Sequence, residues 1–360
     1  MPAPPPDDLS ASPPEDAHAA TSDDVPVPGP EGSRDLDRYA EDSLESGLAV
    51  AQGSLYFSAV EVGGEGRHRG KKLGLGAWLA IGWLAFIVVV SVLGQIGVLP
   101  LDSPTESFAE CARLGPFAKE GTAPGHLLGC DSNGRDMIAR LAYGGWSSLV
   151  VATGAVLFGL VFGGVLGMLA GYFGGKTDTV LTSLFNVFLA IPAVVLALAL
   201  VAFLQGAASS GSGGQNVDPK LLLILAIGLV SIPLLGRITR ASALTWSQRE
   251  FVLAARAQGA KPMRIMIREV LPNVLPAMMS IALLAIAIAI VAEGTLSIFG
   301  VGVRPPTPSW GNIIGLDRGR IKESPHIVFL PAILIFFTVL SLNFLGDVVR
   351  ARLDVRESAV

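Results

Sequence analysis

Few residues in this chain have the types and spacing that enzymatic chemistry needs. The four histidines, His18, His68, His126 and His326, are scattered, without the i, i+4 spacing that places two metal ligands on one helix face. No Ser/His/Asp, Cys/His or paired-carboxylate grouping follows from spacing. The sequence therefore predicts no catalytic residue, no metal ligand and no bound cofactor.

One fragment, AGYFGGKT, resembles a phosphate-binding loop because it ends in Gly175, Lys176 and Thr177. Its first position is Ala170, where the stricter pattern has glycine, and it follows an apolar run instead of a buried strand. We interpret the fragment as a tight turn between two membrane spans rather than as a nucleotide site.

The composition excludes an ordinary soluble protein. Of 360 residues, 51% are hydrophobic and 16% are charged, with a mean hydropathy of +0.56. The net charge of -4 is an average of two unlike parts, since residues 1–66 carry 14 acidic and two basic residues and the remainder carries 16 acidic and 24 basic residues. This balance predicts a membrane protein with a basic body and no nucleic-acid partner.

Residues 1–66 are rich in proline, alanine, serine and acidic residues and contain few large apolar residues. Such a composition cannot bury enough surface to offset the entropy of ordering. We predict a disordered, acidic, cytoplasmic tail without a secretory signal peptide. An acidic docking arm and a solvated extension without a partner both remain open.

Uncharged runs long enough to cross a bilayer predict an all-α membrane protein with six transmembrane helices. They lie at 73–99 (within a first segment at 67–100 that has a basic flank), between Arg140 and Lys176, between Asp178 and Asp218, at 221–236, at 274–299 and at 327–345. The fourth run has only 16 residues, so it needs snorkelling ends or a continuation through 237–246. Residues 348–360 form a short C-terminal tail.

The lysines and arginines indicate the orientation. With the N-terminus inside, the inner segments carry 15 basic residues and the outer segments carry nine. We therefore predict that both termini are cytoplasmic and that residues 101–141 form an extracytoplasmic loop. Cys111 and Cys130 both fall in this loop, which motivates the hypothesis of a disulfide, with two free thiols as the alternative.

The predicted spans contain few ionisable residues. Glu293 is the main exception, and we expect it near the outer end of its helix. Ion-coupled carriers place carboxylates within the membrane, where they are costly and are retained for function. Their scarcity indicates that another subunit supplies the energy for any transport.

The segment 247–276 is the longest inner one and has the features of a helical hairpin. A first helix, FVLAARAQG, contains small residues and is expected to end at Gly259. Pro262 suits the start of a second helix, which Pro272 is expected to stop. That helix is predicted to have an apolar stripe, formed by Met263, Met266, Ile267 and Val270. Arg264 and Arg268 are predicted to form a basic face on another side of it. Spacing alone leaves open whether the hairpin binds a cytoplasmic partner or the membrane surface.

This segment resembles the EAA loop of importer-type ATP-binding-cassette permeases. The match includes Ala254, Ala255 and Gly259 and continues at Leu271 and Pro272. The family's glutamate is replaced by Leu253, and Glu269 stands where peptide permeases often carry histidine. The resemblance implies an ATPase-coupling loop whose residues are Ala254, Ala255, Arg256, Gly259, Met263, Arg264, Ile267, Leu271 and Pro272.

Further segments narrow the resemblance to the C-type subunits of the dipeptide/oligopeptide/nickel permease family. GHLLGCDSNGRDMIARLAYGGWSSL is similar to the signature that precedes the family's core. Later landmarks follow in order, namely AGYFGGKTD, AIPAVVLALALV, EGTLSIFGVGVRPPTPSWGNII and LNFLGDVVRARLD. The chain departs at Asn186, where an acid is common.

The resemblance implies a MetI-like type I importer core at 142–347. It also implies a plasma-membrane heterodimer with a B-type permease, two cytoplasmic ATP-binding subunits and an extracytoplasmic solute-binding protein, in which this chain has no ATPase site of its own. The Pro-rich turn at 304–311 would then shape the outer rim of the gate. Nickel or another small solute is the alternative cargo, and a secondary carrier or a membrane scaffold is the alternative class.

Overall fold

The computed structural model describes residues 74–117, 126–210 and 218–357. The predicted tail at 1–66 and the basic flank that follows it lie outside the described residues. The helices are α1 (Leu75–Gln95), α2 (Met137–Phe173), α3 (Gly175–Ala190), α4 (Ala193–Ser210), α5 (Pro219–Ser247), α6 (Glu250–Ala257), α7 (Pro262–Ile265), α8 (Leu271–Ile298), α9 (Trp310–Asp317) and α10 (Pro325–Glu357). A π-helical turn, Met266–Val270, joins α7 to α8.

The described helices confirm an all-α membrane protein with five or six spans. Five helical segments are long and apolar enough to cross a bilayer, and α3 with α4 makes a sixth if the pair is counted as one span. This pair bends by 93°, so the third predicted span is divided into two helices. The bend occurs because Ile191 precedes Pro192 and takes an extended backbone, with ψ of 130°.

Three spans are longer than the hydropathy runs indicated. The fourth continues through its basic residues, since α5 runs from Pro219 to Ser247 with Pro233 inside it. The fifth begins well before residue 274, since Pro262–Ile298 forms one segment of 37 residues. Helix α10 likewise extends past residue 347, where the C-terminal tail was expected to begin.

A glycine seam joins α2 to α5. Gly159, Gly163, Gly167 and Gly171 recur every fourth residue, so they lie on one face of α2. A Cβ built on Gly163 would lie 2.5 Å from the carbonyl oxygen of Ile232 on α5. The two backbones therefore approach closely, as small residues permit in membrane helices.

The bundle has two sides, which we name by the segments found there. The hairpin side contains residues 247–276, which pack against the end of α2. The clasp side contains the start of α2 and residues 126–136, which we call the clasp loop. This loop forms hydrogen bonds with α9 and α10. Helix α1 runs towards the clasp side because Gly94 meets Ala142, and α10 runs towards the hairpin side because the hydroxyl of Ser280 donates to Gly346. Both ends of the described chain thus lie on the hairpin side.

Candidate functional site

The hairpin at 247–276 is built onto the body by an apolar cluster. Its buried side chains are Val252, Ile265, Met266 and Val270, and they pack against Met168 and Tyr172 of α2 and Ala243 of α5. The guanidinium of Arg256 also lies over the ring of Tyr172, 5.5 Å from its centroid. Because residues from both arms enter this cluster, the hairpin is anchored to the ends of two membrane helices.

The turn of the hairpin is a Schellman cap at the end of α6. The amide of Gly259 donates to the carbonyl of Arg256 at 2.9 Å, and the amide of Ala260 donates to Ala255 at 3.1 Å. Gly259 has a φ of +81°, the left-handed conformation that side chains with a Cβ disfavour. A Cβ there would meet nothing within 4 Å. The glycine is therefore required by the backbone of the turn and not by crowding.

The second arm of the hairpin differs from the prediction at Pro272. This residue does not stop the helix, because it occupies one of the first two positions of α8, where a missing amide proton is tolerated. The arm therefore continues through the π turn into the fifth membrane span. The hairpin and that span form one continuous helical element.

The predicted apolar stripe is also wrong in its register. Ile265, Met266 and Val270 are buried, whereas Met263 and Ile267 are exposed. The π turn explains the change, since its wider spacing brings Val270, five residues after Ile265, onto the same face. A 3.6-residue period cannot place these side chains correctly across such a turn.

An exposed face of the hairpin combines large apolar side chains with arginines. Leu253, Met263 and Ile267 are 54%, 50% and 51% exposed. Met263 and Ile267 line a shallow depression of about 340 Å³ together with Arg264 and Arg268. Such a face can bind a partner groove that offers apolar contacts and acidic side chains. We call it the hairpin face.

The structure brings most of the sequence-predicted site residues to this hairpin surface. Exposed positions are Ala254, Arg256, Gly259, Met263, Arg264, Ile267 and Pro272, and the partly buried ones are Ala255 and Leu271. Leu253, which replaces the expected acid, adds an apolar side chain to the surface.

The fragment AGYFGGKT has the conformation of a helix end and a turn. Ala170–Phe173 is the end of α2. Gly174 and Gly175 have φ of +63° and +54°, and α3 begins at Gly175. The interpretation as a tight turn is confirmed.

The clasp loop contains a buried ion cluster that sequence reasoning missed. One carboxylate oxygen of Asp131 accepts from the Nε of Arg135 at 2.7 Å, and Arg140 Nε lies 3.2 Å from the same oxygen. The other oxygen accepts from the amides of Asn133 and Arg135, both at 2.9 Å. The segment CDSNGRD carries one signal for this cluster, because an acidic residue followed by Asn and Gly favours a local turn. Such a turn brings Asp131 to Arg135.

Further contacts fasten the clasp side. Cys111 and Cys130 form a disulfide with a Cα–Cα distance of 5.7 Å. His126 Nδ1 lies 2.8 Å from Asp136 and 3.7 Å from Asp102, a grouping that the sequence spacing did not indicate. Asp136 also caps α2 by accepting the amide of Ala139 at 2.8 Å. The disulfide thus fixes the clasp loop to the segment before it, and the contacts of Asp136 fix it to the start of α2.

The fold and the hairpin together define a class: a multi-pass helical membrane protein that presents a basic and apolar hairpin beside the membrane. Residues 163–358 match the family described as the inner membrane component of binding-protein-dependent transport systems. Because this match covers more than half of the chain, the chain belongs to that family. It is a permease component of an ABC importer.

Relatives and a solved structure agree with this assignment. The chain is 35% identical over 277 residues to the di/tripeptide transport system permease protein DppC of Pseudomonas aeruginosa (strain UCBPP-PA14), covering 76% of this chain and 87% of that protein. It is 32% identical to the glutathione transport system permease protein GsiD of Pectobacterium atrosepticum, covering 77% and 86%. An inward-facing structure of the MetNI methionine ABC transporter shares the fold, with a TM-score of 0.50, 23% identity and coverage of 60% and 97%.

Proposed function

We propose that this chain is the transmembrane subunit of an ATP-driven importer of dipeptides or oligopeptides. It forms the translocation path together with a B-type permease. Two cytoplasmic subunits hydrolyse ATP, and an extracytoplasmic binding protein delivers the peptide. The peptide cargo is supported by the relatives, whose names refer to di/tripeptide and glutathione transport.

The observation that carries the proposal is the hairpin face. Leu253, Met263 and Ile267 leave apolar surface uncovered, although the opposite face of the same hairpin is anchored in the bundle. An exposed apolar face that is rimmed by arginines is typical of an interaction site. We assign the ATP-binding subunits as its partners, so that the segment 247–276 is the coupling loop.

The hairpin side is then the cytoplasmic side. Both ends of the described chain lie there, in agreement with the bias of basic residues that predicts cytoplasmic termini. The clasp side, with its disulfide, faces the extracytoplasmic compartment, where such bonds persist. The exposed Arg304, Pro305 and Pro306 of the Pro-rich turn lie on that side, within reach of a binding protein.

Purification of a tagged copy of this chain from its native membrane tests the proposal. We expect a second permease and the ATP-binding subunits to co-purify in fixed ratio. In liposomes, this complex should accumulate a labelled dipeptide only when ATP and the binding protein are both supplied. Peptide uptake by the isolated chain along an ion gradient, without ATP, would instead indicate a secondary carrier.

A further inference from the structure

A carboxylate lies buried where α8, α2 and α9 meet. This carboxylate belongs to Glu293 on α8, a residue that is 1% exposed. Its Oε1 accepts from the hydroxyls of Ser297 and Ser309, both at 2.8 Å, and its Oε2 accepts from the hydroxyl of Ser148 at 2.9 Å. Ser297 is on the same helix as Glu293, whereas Ser148 is on α2 and Ser309 caps α9. Two of the three hydrogen bonds therefore join different elements.

The two joining hydroxyls are oriented by the first turn of α9. Ser148 Oγ accepts the amide of Trp310 at 3.1 Å, and Ser309 Oγ accepts the amide of Asn312 at 3.1 Å. Because each oxygen already accepts an amide proton, each hydroxyl proton is directed at the carboxylate. The hydroxyls of Ser148 and Ser309 thus connect Glu293 with the N-terminus of α9, which is the positive end of the helix dipole. Both carboxylate oxygens of Glu293 therefore act as hydrogen-bond acceptors.

Helix α9 is in turn fixed to the clasp side. The indole of Trp310 is buried and donates to the carbonyl of Leu141 on α2 at 2.9 Å. At the other end of α9, the Asp317 carboxylate accepts from the hydroxyl of Ser132 in the clasp loop. Helix α9, the start of α2 and the clasp loop are therefore held together by hydrogen bonds, and Glu293 attaches α8 to this group.

The same helical element reaches the hairpin face. Pro262–Ile298 is one segment of 37 residues, and it carries Met263 near one end and Glu293 near the other. Their separation of 30 positions corresponds to about 45 Å at 1.5 Å per residue. A displacement of the hairpin therefore has a continuous backbone route to Glu293.

We propose that Glu293 is a positioning residue that transmits movement of the hairpin to α9 and the clasp side. The inference rests on the coupling role proposed for the hairpin. Glu293 acts by its hydrogen bonds to Ser148 and Ser309, which make the end of α8 and the start of α9 move together. Since its side chain is buried within the chain, it touches no cargo.

The test uses the assembled importer in liposomes and compares Glu293→Gln, Ser148→Ala and the matched control Ser297→Ala. The control removes a hydroxyl of the same type from the same carboxylate, but one that joins no second element. We measure ATP hydrolysis without the binding protein, its stimulation by loaded binding protein, and peptide uptake. A role confined to stability would not change the ratio of stimulated to basal hydrolysis in complexes that assemble.

We expect Glu293→Gln and Ser148→Ala to keep basal hydrolysis and lose about tenfold in both stimulation and uptake, because a buried hydrogen bond between two helices is removed or weakened. Ser297→Ala should stay within about twofold of the unmodified chain. Normal stimulation in Ser148→Ala overturns the inference even if Glu293→Gln does not assemble. An equal loss in Ser297→Ala also overturns it.

The unmodified complex separates this inference from the proposed function. If it shows no ATP-dependent peptide uptake at all, the proposed function fails before any variant is compared. If it transports normally and the variants do so as well, the importer assignment stands and the role of Glu293 falls.

Discussion

Replacing Gly259 with glutamine is expected to lower ATP-driven uptake about tenfold while the chain still inserts and assembles. The new side chain has open space around it, so the packing of the bundle is preserved. However, a φ of +81° costs a residue with a Cβ about 1–2 kcal/mol. The turn can relieve this strain by leaving its present conformation, which would misplace the two arms relative to each other. A shift of this size changes a conformational equilibrium about tenfold.

Gly97 offers a matched control at the other side of the bundle. It follows α1 with a φ of +73°, has nothing within 4 Å of a built Cβ and lies in the same type of cap, in which Val98 donates to Leu93 at 3.1 Å. Gly97→Gln therefore adds similar strain away from the hairpin. We expect it to transport normally. Equal uptake by both variants, measured with labelled dipeptide in liposomes, would remove the coupling role from the hairpin.

Asp131→Asn is expected to destabilise the clasp side severely. The carboxylate of Asp131 is buried with the guanidinium groups of Arg135 and Arg140, and the substitution removes the carboxylate with which both guanidinium groups are paired. Removing one partner from a buried ion pair costs about 3–5 kcal/mol. The measurement is the free energy of unfolding in mixed micelles titrated with sodium dodecyl sulfate.

Asp102→Asn is the control for this substitution. Asp102 is exposed and lies 3.7 Å from the ring of His126, so its ion pair is weak at best. We expect a change below about 1 kcal/mol. If Asp131→Asn proves as mild as Asp102→Asn, the ion cluster does not stabilise the fold.

The membrane helices were largely predictable because a bilayer demands long apolar runs. The bend in the third span was not predicted, although its cause is visible in the sequence, since Pro192 disfavours a helical conformation at Ile191. Hydropathy counts apolar residues without regard to backbone angles. The Ile-Pro pair was therefore absorbed into a single span.

The hairpin was placed correctly along the chain, but its faces were not. Pro272 was expected to end a helix that in fact continues, and Ile267 was assigned to the buried stripe although it is exposed. The error in the buried stripe follows from the π turn at Met266–Val270, whose spacing departs from the regular period, and the error at Pro272 follows from its position in the first turn of α8. No local composition signal distinguishes such a turn from an α-helix.

The polar contacts of the interior could not be deduced from spacing. Glu293 was expected near the end of its helix, but its partners Ser148 and Ser309 come from segments 145 and 16 residues away. Only the packing of α2, α8 and α9 brings these groups together. Predicting them requires the fold itself.

The most direct test of the central claim, that the hairpin face binds the ATP-binding subunits, is site-specific photocrosslinking in the native membrane. A photoreactive amino acid is placed at Met263 on the hairpin face, or at Leu316 on α9 as a control, both of which are 50% exposed. We predict that the probe at position 263 labels an ATP-binding subunit and that the probe at position 316 does not. Labelling of lipid alone from position 263, in membranes where the importer is active, would contradict the claim.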